Sequence, residues 1–166
     1  MTAAPANPAS ATARRPVNVG ARFRAGYDAI ASIESALRDG PVPLLTRELV
    51  KIRTSQINGC AYCLDMHTKD ALQAGEDPVR LGVIAAWREA TCFTPAERAA
   101  LAVADAIARI GDAQVPAEVE AEARDHYDDD AYAALVFTAI AINAWNRVAI
   151  ASHAQPGRYQ PGDHEA

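Results

Sequence analysis

Apolar residues along this chain recur three and four positions apart, and each run closes on a recognisable helix stop. Between residues 23 and 39 the stripe is Phe23, Tyr27, Ile30, Ile33, Ala36 and Leu37, ended by Asp39-Gly40-Pro41. A second stripe over 43–57 carries Leu44, Leu45, Leu49 and Ile52, and Asn58-Gly59 breaks it. Asn58 is a suitable cap for a third helix that runs to Ala74 and closes at Gly75. Asp77-Pro78 opens a fourth helix to about Ala90, and Thr94-Pro95-Ala96-Glu97 opens a fifth to Gly111 as a capping box with proline at the first helical position. Pro116 starts a sixth helix ending near Tyr127, and Asp128-Asp129-Asp130 starts a long seventh ending near His153. No stretch alternates with the period of a strand. The pattern predicts an all-α fold of about seven helices.

Composition agrees with that pattern and adds limits of its own. Alanine accounts for 38 of the 166 residues, and only 6% of the chain is aromatic, a bias toward helix and away from sandwiches and barrels. Residues 1–22 are expected to form a disordered arm, since Val17 is the first large apolar residue after Met1. Residues 23–157 read as one domain, and 158–166 as a loose tail. Arg14-Arg15 is not followed by an apolar segment, so no export signal is expected. The uncharged run from Ala131 to Asn146 is shorter than the ~20 residues a spanning helix needs, and it reads as a core helix. A net charge of −5 argues against nucleic acid or an anionic membrane as partner. Three cysteines are too few for a disulfide-stapled secreted scaffold, so a cytoplasmic protein with reduced thiols is expected.

Two of those cysteines carry the chemistry. At roughly 100° per residue, Cys60, Cys63 and His67 fall at about 0°, 300° and 340°, so both thiols and the imidazole share one helix face. Cys60 lies at the start of that helix, where unpaired N–H groups favour a thiolate. Glu48 is the second anomaly, because Leu44, Leu45 and Ile52 surround it on its own helix. A carboxylate in an apolar stripe needs a partner, and His67 on the next helix suits it, with Arg53 the simpler alternative. A Glu48–His67–Cys63 relay would let His67 take the Cys63 proton while Glu48 orients the ring. Cys60 could then attack an oxidised Cys63 and close a disulfide, the logic of a peroxidatic and resolving pair. Zinc is the rival, since Cys60, Cys63, His67 and Glu48 could supply four ligands, although no second Cys/His pair follows. The favoured reading assigns no metal and no cofactor. Cys92, between Trp87 and Phe93, is expected to be a buried small hydrophobe. Asn143, Asn146 and Arg147 beside Trp145 could line a pocket or could simply be a hydrogen-bonded helix end. The apolar faces around Phe137, Ile140, Ile142 and Trp145 suggest subunit contacts.

The run from Glu48 through Cys60-x-x-Cys63 to His67 resembles the core motif of the alkylhydroperoxidase D-like branch of the carboxymuconolactone decarboxylase superfamily. The likeness extends through LVKIRTSQINGCAYCLDMHTKDALQAGE, AWRE, FTPAERAALA and AINAWNR, roughly residues 23–157. It implies an all-helical homo-oligomer, trimeric or hexameric. It also implies reduction of a hydroperoxide, with recharging by a dithiol donor such as a lipoylated protein. On this likeness Cys63 is the peroxidatic thiol, Cys60 the resolving one, His67 the base and Glu48 its partner. The residue before the second cysteine, a relay histidine in the better-characterised peroxidases, is Tyr62 here. A phenol is a poor base near neutrality, so the resemblance implies weaker peroxide turnover or a different donor. General thiol–disulfide exchange and a non-catalytic oligomeric role remain the alternatives.

Overall fold

The computed structural model describes residues 15–163. Among these, the chain forms eight α-helices and one 3-10 turn, with no strand. They are α1 (Val19–Arg22), α2 (Arg24–Arg38), α3 (Leu44–Asn58), α4 (Ala61–Gln73), α5 (Pro78–Val83), α6 (Pro95–Ala108), α7 (Ala117–Arg124) and α8 (Asp129–Ala151), and the turn spans Ile84–Ala86. The predicted fourth helix is therefore shorter than its sequence pattern. The backbone tightens after Val83 so that Ile84 and Trp87 can enter the core.

The fold is built around α3, which packs against α4, α6 and α8. Thr46 through Ser55 are buried without a break, charged residues included. Such a helix is tolerable only if each charge finds a partner. Arg47 donates to the carbonyls of Leu37 and Val42, Lys51 pairs with Glu34 and Glu48, and Arg53 pairs with Asp105. The simpler partner for Glu48, Arg53, is thus engaged elsewhere. Apolar packing supplies the rest: Val50, Val103, Leu135 and Ala139 on one side, Leu49, Ile52, Ile84, Leu101 and Phe93 on the other. By length and composition α8 could cross a membrane, but Leu135, Thr138, Ala139, Ile142 and Asn146 are buried inside the bundle.

Both chain ends differ from expectation where they are described. Asn58 does not cap α4. It ends α3, and Gly59 follows in the left-handed region at φ 68°, which lets the chain reverse at once. Cys60 becomes the cap of α4 instead. Within the expected arm, α1 is capped by Asn18, and the Val19 N–H donates to Ser152 Oγ of the last helix turn. The expected loose tail is anchored as well. The Gly157 N–H donates to Asp65, Lys69 Nζ donates to the Tyr159 carbonyl, and the buried Tyr159 donates its hydroxyl to Asp70 Oδ1 at 2.6 Å. A buried aromatic ring and two backbone hydrogen bonds dock it. Residues 1–14 and 164–166, the rest of the arm and tail, lie outside the described residues.

Candidate active site

Three short segments meet at the turn between α3 and α4. Cys60 and Cys63 are both buried as free thiols, with Sγ atoms 2.7 Å apart. Ile142 is buried against them, and Tyr62, Trp145 and Ala149 complete the apolar wall, with Trp145 meeting Tyr27 edge-on. Cys60 Sγ also accepts the Cys63 backbone N–H at 3.4 Å, as an N-cap oxygen would.

These contacts divide the acidity unevenly. The Cys63 hydrogen bond outweighs burial and brings Cys60 down to about 6, with the Cys63 backbone N–H, Asn146 and His67 adding to it. Cys63 moves upward through its hydrogen bond with Cys60, then its burial and the Cys60 charge it faces. The two thiols titrate as a pair, with Cys60 the more acidic sulfur.

The acid–base partner lies one turn further along α4. His67 is buried, and its Nδ1 is 2.8 Å from Glu48 Oε2. Burial alone would raise the Glu48 carboxyl, but His67 and then Lys51 hold it down to about 2. A carboxylate at Nδ1 fixes the neutral imidazole with its proton there and a lone pair on Nε2. That Nε2 is buried and has no hydrogen-bond partner. No direct hydrogen bond joins Nε2 to Cys63, so of the expected Glu48–His67–Cys63 relay the Glu48–His67 link is the one made directly.

Two charged neighbours were not anticipated. Lys51, three residues after Glu48, lies 3.4 Å from Oε1 and 2.9 Å from Glu34. Asp70, three residues after His67, brings a second carboxylate whose acidity is weakened by burial, though the Tyr159 hydroxyl partly offsets this. Both offsets are helical, so the signal was present in the spacing. The only close grouping of His, Cys, Asp and Glu ligand atoms found among the described residues is Glu48, His67 and Asp70, all within 4.8 Å. Neither thiol belongs to it, and Lys51 already supplies its countercharge, so the four-ligand zinc arrangement does not assemble. Tyr62 borders the cysteines with its phenol pushed upward, first by burial and then by Tyr27 and Cys63, which keeps it protonated. Cys92 is exposed, contrary to expectation: the neighbouring Phe93 fills the core and turns it outward.

This arrangement, a dithiol backed by a carboxylate–imidazole pair, lies wholly within residues 23–106, which match the model of the carboxymuconolactone decarboxylase family. The chain belongs to that family. The uncharacterised protein YdfG of Bacillus subtilis is 41% identical over 126 residues, covering 76% of this chain and 86% of its own. Among solved structures, a protein of unknown function from Agrobacterium tumefaciens, suggested to serve antioxidant defence as AhpD, superposes with a TM-score of 0.82 at 28% identity. It covers 88% of this chain and 100% of its own. The fold is thus the alkylhydroperoxidase D-like form of the family, as the resemblance implied. The debrominase Bmp8, with a TM-score of 0.74 at 18% identity over 86% of this chain and 78% of its own, shares the fold alone. The family takes its name from an enzyme, carboxymuconolactone decarboxylase.

Proposed function

We propose that this chain is a cysteine-based hydroperoxide reductase that cycles Cys60 and Cys63 between dithiol and disulfide. The observation that carries the reading is the pair of free, buried thiols 2.7 Å apart next to the Glu48–His67 pair. The proton between the sulfurs needs only a short move to Cys60 to leave the charge on Cys63. Cys63 then attacks the terminal peroxide oxygen, the O–O bond breaks, and the alkoxide leaves as the alcohol by taking a solvent proton relayed through His67 Nε2. The Cys63 sulfenic acid is next attacked by Cys60, which yields the disulfide and water. Two electrons leave the thiol pair, and an external dithiol, a lipoyl group among the candidates, returns them. Tyr62 closes the wall beside the pair and serves as a hydrogen-bond donor. The exposed Phe137, Ile140 and Ile150 on α8 suit burial between copies in a trimer or hexamer. Nothing in this cycle calls for a metal or organic cofactor, and a reducing cytoplasm would suit it.

A coupled assay offering an organic hydroperoxide and a small dithiol tests the reading. Steady peroxide loss that stops in Cys63→Ser supports it, and equal loss in that variant contradicts it. A second reading, general thiol–disulfide exchange, is favoured by one observation: Cys60, the first cysteine of the CxxC, caps α4 by accepting the Cys63 N–H, which makes it the more acidic sulfur. Under that reading a model disulfide is reduced faster than peroxide, and Cys60 rather than Cys63 is the residue alkylated first. Trapping the sulfenic acid in Cys60→Ser, with the label on Cys63, would favour the peroxidase.

A further inference from the structure

Behind the cysteines, a line of side-chain amides runs from the surface of α8 into the core, each amide oriented by its neighbour. Asn143 Nδ2 donates to the Ala139 carbonyl at 2.8 Å, which turns Asn143 Oδ1 outward. That oxygen accepts from Arg147 and, at 2.8 Å, from Asn58 Nδ2. The same Asn58 amide donates to Asn146 Oδ1, also at 2.8 Å. With its oxygen held this way, Asn146 must point its NH2 group inward, and one N–H donates to Ser55 Oγ at 3.0 Å. Ser55 sits directly beneath the thiol turn, since its carbonyl accepts the Cys60 N–H at 3.0 Å. Asn146 is 0% exposed, and its α8 neighbours Ile142, Trp145 and Ala149 all pack on the two cysteines.

A fully buried amide with one N–H still available beside two sulfurs is not explained by helix packing, since an alanine or leucine would fill the site without polar atoms to satisfy. We infer that Asn146 is a further catalytic residue whose carboxamide N–H is directed at the Cys60–Cys63 pair, with Asn58 and Asn143 as positioning residues that set its orientation. The inference rests on the dithiol reading of the site and assigns a donor to it. The Asn146 amide acts to lower the pKa of both thiols, which an N–H donor to sulfur would do and an acceptor would not. The other titratable groups facing the sulfurs, His67 and Tyr62, both lie on α4, so from the α3 and α8 side the stabilisation comes from neutral dipoles. Neutral donors keep the thiolate available without neutralising it as a lysine would.

The test is the pH dependence of iodoacetamide alkylation, followed by mass spectrometry on the reduced full-length protein with Cys92→Ser as background. One unit of upward shift lowers the thiolate fraction about tenfold below the midpoint. Asn146→Ala is expected to slow alkylation about three- to tenfold near pH 6 and to restore the wild-type rate at high pH, and Asn146→Asp is expected to slow it more. Asn58→Ala, at a half-buried position, is expected to shift the profile in the same direction by less, and it decides the matter if Asn146 variants fail to fold. Unmoved profiles in folded variants overturn the inference. The profile does not depend on peroxide, so the two readings separate. Shifted variants of a protein that consumes no peroxide would retain the amide role and remove the peroxidase, and unmoved variants of an active peroxidase would do the reverse.

Discussion

Glu48→Gln is the perturbation that probes the site's electrostatics most sharply. It keeps the volume of the side chain and removes the charge that His67 Nδ1 and Lys51 Nζ both face. The Glu48 carboxyl falls from its ordinary 4.5 to about 2 on folding, which corresponds to about 3 kcal/mol of stability drawn from the ionised form. Because the folded value is the lower one, this contribution is complete above the unfolded value and is lost as pH falls toward the folded value. A chain of this length loses about 2–4 °C of melting temperature per kcal/mol. Glu48→Gln should therefore melt about 6–12 °C below wild type at pH 7, and the gap should close between about pH 5 and pH 2. Thermal unfolding followed by circular dichroism across that range reads both effects. A variant that melts within about a degree of wild type at pH 7, or a gap that does not depend on pH, would refute the reasoning.

Other consequences are equally concrete. Cys63→Ala removes the largest influence lowering Cys60, so the Cys60 titration midpoint, followed by thiolate absorbance, should rise from about 6 toward the ordinary 9. Asp105→Ala leaves the buried Arg53 without its carboxylate and frees Arg88, and urea unfolding should report a loss of about 3–5 kcal/mol. Tyr159→Phe removes the hydroxyl bond to Asp70 and should cost about 1 kcal/mol by the same measurement, which a loose tail would not produce.

Periodicity and capping residues made most of the architecture readable in advance, because Thr94, Asp77 and Asp128 cap the helices their positions suggested. The Glu48–His67 contact was legible for a related reason: a carboxylate among leucines must be paired, and few candidates exist. What remained hidden depends on tertiary neighbours. Asn58 looked like a cap, but its amide is more useful to Asn143 and Asn146, more than eighty residues away in sequence. The tail looked unstructured, yet Tyr159 found a buried acceptor on α4. Cys92 looked buried beside Trp87 and Phe93, and a turn faces it outward. The proton between Cys60 and Cys63 could not be placed from spacing, because its position depends on the 2.7 Å separation and on which sulfur caps α4.

The most direct measurement of the central claim is peptide-mapping mass spectrometry of the reduced protein after one equivalent of an organic hydroperoxide. The account predicts loss of two thiols per chain, a disulfide joining the Cys60 and Cys63 sulfurs, an unmodified Cys92 and one equivalent of alcohol released. Survival of the free thiols, or oxidation that falls on Cys92 alone, would contradict it.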